Sequence, residues 1–333
     1  MRVLLTGGAG FIGRAVRRRL TAGGAEIRVY DSALDPADDV LDLDRLRRAS
    51  QGCAVTIHLA AKVGLGVGVS DIDDYARQNS LGTAVVLRAA AEAAVRRIVY
   101  ASSMVIYGEG GYRCPTHGRV RPGPRREADL LAGRFEPPCP RCGSFLTPVL
   151  VDEDAVPDPR NAYAATKLHG EHLGATWCRE TGGRLAALRF HNVYGPGLPR
   201  DTPYAGVAAL FVAQAAAGRS PEVFEDGQQR RDFVHVDDVA AAVVAATGAN
   251  LPDGMTALNV GSGTITTVGE MASTIAGALS APAPVVTGRY RLGDVRHITA
   301  DSARARALLG WQPEHTLADG VRDLVAESSV GSR

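Results

Sequence analysis

The chain has 333 residues, 45% of them hydrophobic and 22% charged, enough to close a full core, which excludes a disordered chain or a disulfide-stapled miniprotein. With 37 basic against 36 acidic side chains there is no global field for nucleic acid, and no apolar run approaches the ~20 residues that span a bilayer. The N-terminus lacks the build of a signal peptide and the five cysteines are an odd number, so a cytoplasmic chain acting on small molecules is expected, with its thiols in metal or packing roles.

The apolar run from Arg2 to Thr6 reads as a buried parallel strand. It leads into Gly7, Gly8, Gly10 and Gly13, then a helix with Ile12, Val16 and Leu20 on one face, stopped by Gly23 and Gly24. Ile27 to Tyr30 makes a second strand, and Val55 to Ala60, Arg97 to Ala101 and Leu185 to Phe190 read as further central strands. Helical stretches such as Ala84 to Ala94 separate them. This alternation predicts an α/β fold, a doubly wound parallel sheet covered on both faces, with ligands at the carboxyl ends of the strands. The expected division is a dinucleotide-binding domain over 1–190 and a smaller mixed lobe over 191–333 that partly returns to the first.

One stretch, 111–150, breaks the pattern. It is rich in Pro, Gly and Arg, holds three of the five cysteines, shows little periodicity and reads as an insertion. Between Arg113 and Arg141 it sets seven arginines against Glu127, Asp129 and Glu136, which suggests a basic surface.

Strand, Gly-rich turn and helix together point to a dinucleotide, because glycines let the pyrophosphate approach the backbone N–H groups at the helix start. Gly7, Gly10, Phe11, Ile12 and Gly13 form that turn. Asp31 ends the second strand eighteen residues beyond Gly13, where a carboxylate accepts the adenosine ribose hydroxyls and repels a 2′-phosphate. NAD is therefore expected rather than NADP, although Arg14 and Arg28 lie nearby in sequence.

Lys62 and Lys167 are the only lysines among the 37 basic residues, and Lys167 follows Tyr163 by four, one helical turn. A phenol with a pKa near ~10 is a poor base, but a fixed ammonium and a positive nicotinamide ring both favour its phenolate. Tyr163 is the expected base toward a sugar hydroxyl, Lys167 also orients the nicotinamide ribose, and Ser103, placed just past a central strand, holds the reacting oxygen.

With these pieces the sequence resembles the extended short-chain dehydrogenase/reductase family, specifically the nucleotide-sugar epimerase branch that includes UDP-galactose 4-epimerase-like enzymes. The likeness runs nearly full length, through the Gly-rich turn, Asp31, Asp42 and Leu43, His58 to Ala61, Asn79, Ser102 and Ser103 with Tyr107 and Gly108, Tyr163 to Lys167, Leu188 to Pro196, Arg231 to Asp237, Asn259 to Gly263 and Leu309 to Trp311. The resemblance implies a Rossmann-type domain with a substrate-binding lobe, and a homodimer. It implies that Asp42 and Leu43 meet the adenine, that Leu59, Ala60, Ala61 and Asn79 line the cofactor, and that Asn192, Arg231, Arg291 and Asp294 hold a nucleoside-diphosphate sugar. Related 4,6-dehydratases follow their Ser/Thr with an Asp-Glu pair, whereas Met104 and Val105 stand here and neither can transfer a proton. A 4-epimerase, with a dTDP-6-deoxyhexose as the example substrate, is therefore expected ahead of an NAD(P)H-dependent 4-ketoreductase or a non-catalytic dinucleotide sensor.

Within the insertion, Cys114 with His117 and Cys139 with Cys142 make two chelating pairs, each with two intervening residues. Four soft or borderline ligands without a spare carboxylate predict a closed structural zinc site, a clip that orders a poorly structured loop lying between Ser103 and Tyr163.

Overall fold

The structure is a computed structural model and describes residues 1–64, 69–199 and 206–330. Strands β1 (Arg2–Thr6), β2 (Glu26–Tyr30), β3 (Val55–His58), β4 (Arg97–Ser103), β5 (Arg184–Phe190) and β6 (Gly254–Val260) form one sheet in the order β2-β1-β3-β4-β5-β6. Every neighbouring pair is parallel, so each connection crosses over a face. Helices α1 (Phe11–Ala22), α2 (Leu43–Ser50), α3 (Gly82–Glu92), α4 (Ala162–Thr181) and α5 (Val236–Gly248) provide the cover.

Strand alternation distributes β1 between two cores. Val3 and Leu5 pack with Val16 and Leu20 of α1 and with Val239 and Val243 of α5. Leu4 joins Leu46 of α2, Val86 of α3 and Trp177 of α4 on the opposite face. Both faces being dry explains why β1 reads as an unbroken apolar run. The chain leaves β1 toward β2 and then returns across it to β3, and this reversal opens the crevice where ligands bind in such sheets.

Three boundaries differ from the sequence expectation. Strand β3 stops at His58, so Leu59 to Ala61 form the loop at its carboxyl end. Strand β4 continues through Ser102 and Ser103, which pair in register with Arg189 and Phe190, so Ser103 ends the strand instead of following it. The polar serines had broken the apolar run that marked the strand. The insertion is also more regular than its composition suggests: strands Gly111–Cys114, Gly118–Val120 and Thr147–Val149 form an antiparallel sheet, with a short helix Glu127–Leu131 between the second and third. Strands of three or four residues are too short to leave a periodic signal.

The C-terminal part builds a second layer beside β5. Strand Asn192–Tyr194 pairs in parallel with Arg230–His235, which pairs antiparallel with Ile265–Thr267. Tyr194, Phe211, Phe233, Met271, Ile275 and Val321 fill its core.

Candidate active site

Three side chains meet at the carboxyl end of β4. Ser103 is 9% exposed at the strand terminus, and its hydroxyl accepts the Val105 N–H at 3.4 Å. Asn161 caps α4 by accepting the Ala164 N–H at 2.8 Å, which places Tyr163 in the first turn and Lys167 one turn later. Gly170, a turn beyond, lets the helix lie against the sheet: a Cβ there would come within 2.1 Å of the Tyr100 hydroxyl. Lys167 is 3% exposed, donates to the Ala101 carbonyl at 2.7 Å and holds its ammonium 5.8 Å from the centre of the Tyr163 ring.

Burial sets the proton affinities. It pushes the Tyr163 phenol up to about 12, a rise that the Ser103 hydroxyl opposes. It pushes the Lys167 ammonium down to about 8. His58, buried between Thr6 and Thr83, is lowered to about 3 by burial and by Lys167, and so stays a neutral hydrogen-bonded spacer.

At the neighbouring strand end, Gly7 adopts φ +71°, and a Cβ there would sit 2.6 Å from the Ala60 nitrogen. Only glycine permits this turn, which sets Gly7 against Leu59 and Ala60 and lets Gly10 and Gly13, flanking Phe11 and Ile12, fold back onto the Gly7 carbonyl. Asp31 accepts the Ala9 N–H at 2.7 Å and the Ala33 N–H at 2.9 Å, so its carboxylate faces the Gly-rich loop. Arg14 donates to the Ala9 and Gly197 carbonyls and Arg28 to those of Arg48 and Ala49, so neither makes its hydrogen bonds to Asp31. A glycine turn opening a helix, with a carboxylate at the next strand end, fits a dinucleotide of the NAD type.

Asp42 caps α2 through the Arg45 N–H, and Leu43 packs partly into the core beside α2. Asn79 is fully engaged: it accepts the Lys62 N–H and donates to the Lys62 carbonyl and the Thr166 hydroxyl. Its amide joins the loop after β3 to the helix of Tyr163 and Lys167.

On the far side, Asn192 begins its strand with Oδ1 buried and no hydrogen-bond partner among the described residues, so its amide is available to a ligand. Alternation along Arg230–His235 sends neighbours in opposite directions. Asp232 gathers the Ser262 and Gly263 amides, while Arg231 donates to the carbonyls of Arg230, Val295 and Arg296. Asp294 offers its carbonyl to Arg125, and desolvation raises the pKa of its half-buried carboxyl against the pull of Arg231, Arg291 and Arg125. Arg291 is exposed, with its guanidinium 5.4 Å from the Phe224 ring centre.

The model of the NAD dependent epimerase/dehydratase family matches residues 3–128 and 144–261. The chain belongs to that family. It is 36% identical to the dTDP-L-rhamnose 4-epimerase of Burkholderia thailandensis, over 97% of this chain and 93% of that protein. The fold is similar to the UDP-glucose 4-epimerase of Thermotoga maritima solved with UDP-glucose, at TM-score 0.81, 25% identity and full coverage of both chains. It is also similar to the Thermus thermophilus UDP-glucose 4-epimerase solved with NAD, at TM-score 0.76, 28% identity and full coverage of both.

The family match skips 129–143, inside the insertion. There the structure gathers the four expected donors: the Cys114 sulfur lies 3.6 Å from His117 Nδ1 and 3.7 Å from the Cys142 sulfur, and Cys139 lies 3.6 Å from His117 Nδ1. All four ligand atoms fall within 4.8 Å of one another. The basic surface expected from the arginine count is largely neutralised. Arg125 is buried against Glu225, Arg119 pairs with Asp152, and Arg126 and Arg134 pair with Asp129.

Sequence reasoning missed the buried ion cluster behind Arg231. Arg296, 1% exposed, contacts Glu225, Asp226 and Glu136, while Arg125 also reaches Glu225. No local pattern announces it, because Arg125, Glu136, the adjacent Glu225 and Asp226, and Arg296 come from four separate segments.

Proposed function

We propose that this member of the family is an NAD-dependent nucleotide-sugar 4-epimerase, an isomerase, whose substrate is a dTDP-linked 6-deoxyhexose of the rhamnose/talose kind. The observation that carries the reading is the convergence of Ser103, Tyr163 and Lys167 beside the glycine cradle, with Met104 and Val105 where elimination would need an acid. Identity with the dTDP-L-rhamnose enzyme supports the sugar.

Tyr163, as phenolate, removes the proton of the C4 hydroxyl, and Ser103 hydrogen-bonds the same oxygen. NAD⁺, when bound, supplies the acceptor for the C4 hydrogen and its electron pair. Lys167 stays mainly charged at pH 7 with a pKa of about 8, so its ammonium favours the phenolate and orients the cofactor ribose. The 4-keto sugar turns in the pocket and, as hydrogen returns to its other face, Tyr163 gives the proton back. Asp31 and the Gly-rich loop hold the dinucleotide; Asn192, Arg231, Arg291 and Asp294 hold the nucleoside diphosphate. A 4-ketoreductase or a non-catalytic sensor is not favoured beside these relatives. The five free cysteines suit a cytoplasmic enzyme, and the family likeness suits a homodimer.

Cys114, His117, Cys139 and Cys142 hold a structural zinc ion. A tetrahedron with Zn–S of about 2.3 Å and Zn–N of about 2.0 Å has S···S and S···N edges of about 3.8 and 3.5 Å, close to the 3.7 and 3.6 Å spacings here. The full ligand set leaves no position for water, so the metal orders the loop.

Purified protein incubated with dTDP-L-rhamnose and no added cofactor should yield the C4 epimer up to a fixed equilibrium ratio, followed by ion-pair chromatography and proton NMR. No conversion without added dinucleotide, together with stoichiometric NAD(P)H consumption when a dTDP-4-keto-6-deoxyhexose is supplied, would overturn the epimerase reading, and faster turnover of UDP-glucose would overturn the sugar assignment. Metal analysis should find about one zinc per chain.

A further inference from the structure

The insertion contacts the segment that carries two of the proposed diphosphate ligands. Glu136 lies in the stretch that the family model skips, three residues before Cys139. Its carboxylate accepts from Arg296 at 2.8 Å and meets His297 Nε2 at 2.9 Å. The segment it grips also carries Arg291 and Asp294, and its Val295 and Arg296 carbonyls aim the Arg231 guanidinium. Arg125, on the other side of the short helix Glu127–Leu131, donates to the Asp294 carbonyl at 2.6 Å and to Glu225 at 2.8 Å.

A second set of contacts joins the metal ligands to the same segment. Cys114 and Cys139 share a small apolar core with Tyr112 and Leu146. The Tyr112 ring lies 6.0 Å from the His297 ring, the Gly110 N–H donates to the His297 carbonyl at 2.9 Å, and Glu109 accepts the Arg296 N–H at 2.9 Å. The Cys139 turn is closed on itself by Cys139 and Ser144 backbone bonding and a single bridge between Pro138 and Phe145. A metal joining this turn to the Cys114 hairpin is what would fix the position of Glu136.

We infer that the zinc-clipped insertion is a strap that positions the 291–297 segment, with Glu136 as a positioning residue, so that metal occupancy and nucleoside-diphosphate affinity are coupled. This rests on the zinc and diphosphate assignments made above. Thermodynamic coupling is reciprocal, so bound nucleotide must tighten the metal by the factor with which metal tightens the nucleotide.

The test measures dTDP affinity by calorimetry on NAD-loaded enzyme, with zinc content by mass spectrometry, for four forms: wild type, E136Q, wild type stripped of zinc by a chelator, and stripped E136Q. E136Q should keep its zinc and NAD yet bind dTDP roughly tenfold more weakly. Stripping should weaken the wild type by a similar factor and E136Q by much less, and saturating dTDP should lower the zinc dissociation constant by that factor. C142S, which removes the exposed ligand, should match chemical stripping if the chelator itself does no harm. Unchanged dTDP affinity in E136Q or in stripped wild type, with dTDP still bound, overturns the strap while leaving both assignments in place. A chain that takes up no zinc, or a wild type that binds no dTDP, overturns the corresponding assignment, and the coupling falls with it.

Discussion

The ammonium of Lys167 lies 5.8 Å from the centre of the Tyr163 ring, one helical turn away, and is anchored by the Ala101 carbonyl at 2.7 Å. The anchor comes from β4, the strand that ends in Ser103, so one strand fixes both the hydroxyl and the cation that flank the phenol. Burial raises the phenol to about 12 and lowers the amine to about 8, so by itself it separates their proton affinities and keeps the phenol protonated. The positive charge of a bound NAD⁺ and the neighbouring ammonium both work against that burial, so the phenolate is favoured only once the cofactor is in place.

Tyr163→Phe removes the proton acceptor without changing the shape of the helix. Turnover of the sugar nucleotide should fall by about 10²–10⁴-fold, while NAD retained through gel filtration and dTDP affinity stay near wild type. Turnover within tenfold of wild type would eliminate Tyr163 as the base.

Lys167 also leaves a signature in stability. Its folded pKa of about 8 lies below the ordinary 10.5, so between those values the unfolded chain binds more protons and stability rises with pH. Tyr163 acts in the next window: its folded value of about 12 exceeds 10, so the folded state holds the extra proton and stability falls from about pH 10 upward. Urea midpoints of the cofactor-free protein should climb from pH 8 to pH 10. Lys167→Met should flatten that rise, and an unaltered slope in the variant would assign it to another group.

The parallel sheet was legible because its strands are dry on both faces and their apolar runs are continuous, as Val3, Leu4 and Leu5 illustrate. The Gly-rich turn and the Tyr163–Lys167 pair were legible because each is local, a few residues on one turn or one helix. Cys114, His117, Cys139 and Cys142 were legible as two local pairs, although nothing in the spacing showed that the hairpin tips converge. The Arg296 cluster was not legible: Arg125, Glu136, Glu225 and Arg296 come from four segments and meet only through tertiary packing. The same distance from local pattern hid the neutralisation of the insertion's arginines, whose partners include Asp152 and Glu225.

Asp31 supplies both a negative charge at the β2 end and two hydrogen bonds to loop N–H groups. Asp31→Asn keeps an acceptor but loses the charge. Since hydrogen bonds to charged groups contribute roughly 1.5–3 kcal/mol, NAD affinity should drop about ten- to a hundredfold, and the preference for NAD over NADP should shrink with it. Equilibrium dialysis with both dinucleotides measures this. An undiminished preference would mean that a different group excludes the 2′-phosphate.

Beneath the site, Glu171 of α4 accepts the Ser102 hydroxyl at 2.5 Å and pairs bidentately with Arg189 of β5 at 2.9 and 2.7 Å. Arg189 donates onward to the Tyr107 hydroxyl, which donates to Asn259 of β6. Both members of the ion pair are nearly inaccessible, with side chains 3% and 6% exposed. Glu171→Ala leaves the guanidinium buried without its carboxylate and should cost about 3–5 kcal/mol of unfolding free energy. Adding Arg189→Met removes the stranded charge while keeping an apolar side chain in its place, so the double variant should recover much of the loss. Urea unfolding of the two single variants and the double closes the cycle, and a double variant that loses the sum of the single losses would show that the pair is not coupled.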